Sequence, residues 1–186
     1  MFSSPREVFR KEDEMNRFLD VEKTLEAIVY ISHKTNNLIH IVKTLYFADK
    51  YHLENYGRLI TGDSYIAMKE GPVPSGAYDI IKYVRGDNHA FEARIVQVHP
   101  EKAIEVKNKE VVIPLRPPNL DYLSESDLEC LDKSIDVYAE MDLIQLWKIA
   151  HEEEAYTKAR RNYPIRLSDI ITSLPNGKEI LDYLNS

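Results

Sequence analysis

The sequence predicts an α+β fold: one mainly α-helical domain with a small antiparallel β-sheet inserted between two helical groups. Three observations predict it. Apolar residues recur at three- and four-residue spacing over 20–55 and again over 124–160. Between these groups, short β-branched runs appear at Ile95, Val96 and Val98, at Ile104 and Val106, and at Val111 and Ile113. Glycine and proline punctuate the stretches between 57 and 76 and around 116–118, where the chain must turn.

Taken in order, residues 1–19 are charged and weakly periodic, an N-terminal arm or short helix ahead of the domain at 20–186. Asp20 is placed to cap a helix running to about Lys34, with Leu25, Ile28, Val29 and Ser32 on its inner face. Thr35-Asn36-Asn37 breaks it. A second helix is expected from Leu38 to about Asn55, with Leu38, Ile41, Val42, Leu45 and Ala48 inward and Gly57 as its C-cap. Turn chemistry at Thr61-Gly62-Asp63 precedes a strand at Tyr65–Met68. The prolines of Gly71-Pro72-Val73-Pro74 then hold the backbone extended. Ser75 is the expected cap of a helix from about Gly76 to Arg85 that Gly86 stops.

Lys107-Asn108-Lys109-Glu110 is expected to turn the last two β-branched runs into a hairpin, because Asn tolerates the left-handed conformation. Ser124 and Asp127 have capping-box spacing ahead of Leu128, Leu131, Ile135 and Tyr138. Asp142 starts another helix through about Arg160, and Pro164 breaks it. A last helical region begins at Ser168 and is interrupted at Pro175-Asn176-Gly177.

Composition narrows the function classes. At 186 residues with 44% hydrophobic content, the chain is long enough to bury a core without covalent staples. A net charge of −7 disfavours non-specific nucleic-acid binding, which phosphate neutralisation drives. Lys158, Arg160, Arg161 and Arg166 form the densest basic cluster, and a solvated face is its plain reading. The single cysteine, Cys130, has no disulfide partner within the chain and lies in a helical pattern, as a packing residue would. The N-terminus has no apolar secretory core and no window suits a membrane helix, so the expectation is a cytoplasmic protein.

The residues after the first helix form a recognisable series. Lys43–Leu53 (KTLYFADKYHL), Tyr56–Met68 (YGRLITGDSYIAM), Gly71–Ser75 (GPVPS) and Tyr78-Asp79 resemble, in order and spacing, the signature segments of the SocA-like Panacea domain family, which includes GepA-like phage-associated proteins. The resemblance is densest over about 20–85. Farther on, Ala150-His151 fits the family's late helix, but Tyr156 stands where a Trp is expected and Trp147 lies upstream. The resemblance implies an antitoxin that binds and neutralises a cognate toxin encoded beside it. It also implies possible action as an adaptor that delivers the toxin to a cytosolic energy-dependent protease.

The chemistry-bearing residues have plain readings as well. Asp49 and His52 share a helix face, the start of a metal site or base pair, yet no further ligand spacing completes a metal set. The structural alternative has Asp49 accepting bonds from Arg58, a tyrosine hydroxyl or the N–H groups of the 61–65 turn. His33, His40, His89 and His99 are expected in solvent. His151 is expected to pack against Trp147. Neither a nucleophile elbow nor a phosphate loop occurs in the sequence.

The expectation is therefore a binding protein without catalytic residues, metal or cofactor. Tyr65, Met68, Pro72, Val73, Pro74 and Tyr78 are the candidate partner-binding residues. Asp49, His52, Arg58, Asp63 and His151 are the candidate structural polar residues. The competing class is a hydrolase built on Asp49, His52 and His151, which requires one pocket that joins all three. A DNA-binding regulator is the least supported, since no basic recognition helix is evident.

Overall fold

The computed structural model describes residues 18–87 and 93–184. The arm expected over 1–19 lies outside the described residues up to position 17, as does His89.

Helix α1 (Val21–Ser32) starts where Asp20 accepts a hydrogen bond from the Lys23 amide at 2.9 Å. Helix α2 (Leu38–Tyr56) is capped by the Asn37 side chain, which accepts from the amides of Ile39 and His40. It ends at Gly57, whose φ of 69° is the left-handed conformation that glycine adopts without a Cβ penalty.

Helix α2 is buried on nearly all sides and divides the interior in two. On one side, Ile41, Val42, Leu45 and Ala48 pack with α1, α3 (Ser75–Arg85) and α5 (Glu125–Tyr138). On the other, Tyr46, Phe47 and Leu53 pack with Leu146 of α6 (Leu143–Glu152), Ala155 of α7 (Glu154–Lys158), and Ile170 and Ile171 of α8 (Leu167–Thr172). Helix α9 (Gly177–Leu184) closes this second cluster through Ile180.

Two sheets complete the fold. β1 (Tyr65–Met68) and β2 (Gly71–Pro74) form an antiparallel hairpin, and β5 (Pro164–Ile165) joins the other edge of β1. The third strand of this sheet comes from beyond α7. The second sheet pairs β3 (Ile104–Lys107) with β4 (Val111–Pro114) around a turn in which Asn108 and Lys109 have positive φ.

Four expectations are corrected by tertiary packing. Ile95-Val96 lies in the short helix α4 (Ala93–Gln97) instead of a strand, because β3 pairs only with β4 and offers this run no ladder. Ser75 does not cap α3. The buried Asp63 carboxylate does so from a distance, accepting the amides of Gly76 and Ala77 at 2.8 Å each. The helix expected from Asp142 to Arg160 breaks at Glu153, whose extended backbone turns its carboxylate inward to Lys50 at 2.5 Å and the Tyr46 hydroxyl at 3.0 Å. His40 is buried, with Nε2 against the Met141 carbonyl at 2.7 Å, because it faces the core side of α2. The extended backbone expected at Pro72 and Pro74 is paired in β2. Ser124 and Asp127 form the expected reciprocal capping box at the start of α5.

Asp63 accepts three backbone amides in all, from Ser64, Gly76 and Ala77. Asp63→Ala leaves these buried donors unpaired, and the expected loss of unfolding free energy is about 2–4 kcal/mol. Urea denaturation followed by circular dichroism measures it. A loss under about 0.5 kcal/mol, the range of an ordinary surface substitution, would refute this account of the α3 N-terminus.

Candidate functional site

The β1–β2 hairpin is held from beneath by polar side chains buried in the core. Asp49 is fully enclosed and accepts from the Ile60 amide at 2.6 Å, the Thr61 hydroxyl at 3.4 Å and the Tyr65 hydroxyl. Arg58, a candidate partner of Asp49, binds Asp127 instead. Burial pushes the Asp49 carboxyl up to about 6 against those hydrogen bonds. Burial pushes Asp63 up to about 7; its backbone amides oppose the shift, and the nearby Asp49 charge adds to it.

Lys43 performs the same task for β2. Its side chain is buried, and Nζ donates to the Pro72 carbonyl at 2.8 Å. Gly71 lets the strand approach this closely: a Cβ there would stand 3.1 Å from Lys43 Nζ and 3.0 Å from the Ala150 Cβ, at a φ of 97°. Burial lowers the Lys43 ammonium to about 7, and the Glu70 carboxylate offsets part of the shift.

From the other side, the late segment of the chain meets successive carbonyls of the hairpin. The Asn162 amide donates to Ala67 O at 2.7 Å, the Tyr156 hydroxyl to Met68 O at 3.0 Å, and His151 Nε2 faces Lys69 O at 2.9 Å. The His151 ring stacks on Trp147 at 3.9 Å between centroids and meets the Tyr156 ring edge-on at 5.1 Å. Tyr156, in the position where the sequence pattern leads one to expect a Trp, therefore contributes a hydroxyl that holds the hairpin.

His52 belongs to a separate cluster. Its Nδ1 faces the Arg58 carbonyl at 3.0 Å, and its Nε2 lies 3.1 Å from Ser126 Oγ and 3.3 Å from Asp127 Oδ1. Asp127 also meets Lys23 at 2.6 Å and Arg58 at 3.0 Å. Its burial alone would raise the carboxyl, but hydrogen bonds from His52, Lys23 and Ser124 outweigh this and hold it well below the usual range. Asp49, His52 and His151 thus bond to three different sets of partners. Among the described residues, no group of three or more His, Cys, Asp and Glu is placed to hold a metal ion. Cys130 is buried, and burial pushes its thiol up to about 11.

Of the six candidate contact residues, Tyr65, Pro72, Val73 and Pro74 are buried, with Tyr65 2% exposed. They set the position of the hairpin. Met68 and Tyr78 are partly exposed and line a shallow apolar groove of about 210 Å³ with Leu38, Ile39 and Val42. Sequence reasoning missed the more exposed face beside it. Trp147 is 47% exposed and Ile144 78%, outside the stripe that buries Leu146 and Ala150 on α6. Their spacing of three residues was the available signal.

The family model for the antitoxin SocA-like, Panacea domain matches residues 41–156. The chain belongs to this family. No curated protein matches, and no solved structure matches. In this Panacea chain the matched segment opens inside α2 and closes at Tyr156. It contains Lys43, Asp49, the whole hairpin and His151, while the loop at 160–163 lies beyond it.

Lys43 has a measurable signature. The unfolded chain keeps the lysine proton to about 10.5, whereas the folded chain releases it near 7. Between those values the unfolded state binds more protons, so stability rises with pH. Wild-type protein should gain more stability than Lys43→Met between pH 7 and 9, by up to about 1 kcal/mol per pH unit. Urea titrations across that range check it, and parallel curves would show that Lys43 is not buried as described.

Proposed function

We propose that this protein is the antitoxin of a toxin–antitoxin pair and neutralises its toxin by direct protein–protein contact, without catalysis. The observation that carries this reading is the family match over 41–156, which includes the hairpin, Lys43 and Asp49 beneath it, and His151 and Tyr156 beside it. The polar chemistry agrees with it. Asp49, His52 and His151 are each engaged with main-chain groups of neighbouring segments, work that positions backbone. The exposed Trp147 adds an anchor of the kind that dominates binding energy at interfaces. The segment 20–186 is the unit assigned this activity.

The test is co-expression with the protein encoded beside this chain, scored by growth rescue and by co-purification. Asp49→Asn and His52→Gln should retain complex formation in proportion to their folded fraction. Trp147→Ala should lose at least about tenfold in affinity while staying folded, as a central aromatic anchor does. Under masking, the toxin persists inside the complex. Toxin that disappears during rescue, and reappears when an energy-dependent protease is removed, would replace masking by proteolytic delivery. Failure of the wild-type chain to rescue growth or to co-purify the neighbouring protein would refute the antitoxin reading for that pair.

A further inference from the structure

The loop after α7 carries a charge imbalance that the rest of its segment lacks. From Lys148 to Asp169 every acidic side chain has a basic partner: Glu152 with Lys148, Glu153 with Lys50, Glu154 with Lys158, and Asp169 with Arg166. Arg160 and Arg161 are left over. Both are exposed, and neither meets an acidic group among the described residues. In a chain of net charge −7, an unneutralised pair of adjacent arginines stands out.

The loop is also fixed in place. Asn162, at a φ of 64°, donates to Ala67 O, and the Ala67 amide donates back to Tyr163 O at 3.0 Å. The Tyr163 amide closes the turn on Arg160 O at 3.0 Å. The Arg160 guanidinium lies 4.5 Å over the Tyr163 ring, itself 49% exposed. Trp147 stands along the same hairpin, connected through His151 at Lys69 O and Tyr156 at Met68 O. Arginine, tyrosine and tryptophan are the residue types that dominate interface hot spots, and here backbone contacts fix the loop that carries Arg160, Arg161 and Tyr163.

We infer that Arg160, Arg161 and Tyr163, with Trp147, form a docking face for an acidic polypeptide segment that carries an apolar residue beside its carboxylates. The apolar residue meets Trp147, and the carboxylates meet the guanidinium groups, which suit planar bidentate pairing. A polypeptide fits better than a nucleic acid. Two arginines neutralise too few phosphates for the counterion release that drives nucleic-acid binding. The identity of the partner as the toxin rests on the antitoxin reading above. The chemistry of the face does not depend on it.

The experiment uses the full chain, its Arg160→Glu/Arg161→Glu variant and a control variant, Lys102→Glu/Lys107→Glu, whose charges lie on exposed residues near β3. Probes are a fluorescein-labelled peptide of repeated Leu-Glu-Glu, the same peptide with Lys for Glu, and a labelled oligothymidine. The Leu-Glu-Glu peptide should bind the wild-type chain in preference to the other two, with an affinity that falls as salt rises. The arginine reversal should weaken it by about tenfold or more, and the control by less than about twofold. Circular dichroism confirms that both variants are folded.

Equal binding by the wild-type and the arginine-reversed chain overturns the inference. So does an absence of peptide binding by the wild type, or preferential arginine-dependent binding of the oligothymidine. In parallel, both variants are co-expressed with the neighbouring protein. Arginine-dependent peptide binding without growth rescue by the wild type keeps the face and removes the antitoxin reading. Rescue by the wild type and by the arginine-reversed chain alike keeps the antitoxin reading and removes the toxin as the occupant of this face.

Discussion

The structure depends on one constraint: α2 is enclosed on nearly all sides, yet it carries Lys43, Asp49 and His52. Buried polar groups must be satisfied, and a helix uses its own backbone groups internally. These side chains can therefore be satisfied only by other segments. Lys43 takes the carbonyl of Pro72, Asp49 takes the amide of Ile60 and the hydroxyl of Tyr65, and His52 takes the carbonyl of Arg58. Each bond fixes a stretch of non-helical backbone relative to α2, and together they set the path from Gly57 to Pro74.

The same cores tie distant parts of the chain to one hairpin. Glu153 breaks the late helix to reach Lys50 and Tyr46, which turns α7 so that Tyr156 faces β1. Without that break, a continuous helix would carry Tyr156 past the hairpin. The result is a strand whose carbonyls are held from one side while its buried side chains are held from the other. A surface built on such a strand loses little conformational freedom on binding, which favours recognition by contact.

The family assignment and this architecture agree in emphasis. The matched segment contains most of the groups that hold the hairpin, from Lys43 to Tyr156, while Asn162, Tyr163 and β5 lie beyond it. The described residues contain no helix long and apolar enough to cross a membrane. The loop at 160–163 lies outside the matched segment; its backbone also holds the hairpin, while Arg160, Arg161 and Tyr163 are exposed.

Local chemistry was legible in the sequence wherever it acts through near neighbours. Asp20 caps its helix, Gly57 ends one, Ser124 and Asp127 form a capping box, and Asn108 turns the β3–β4 hairpin. These bonds span at most a few residues, so spacing alone determines them. The helical class and the family's signature segments were legible for the same reason, since both are patterns along the chain. The long-range choices were not. Asp63 displaced Ser75 as the cap of α3 from more than ten residues away, and Arg58 found Asp127 instead of Asp49. Only the packed structure brings such partners within reach. It alone decided which tyrosines are buried and that Arg160 and Arg161 meet no acidic group among the described residues, because burial and charge balance belong to surfaces that form only when the segments meet.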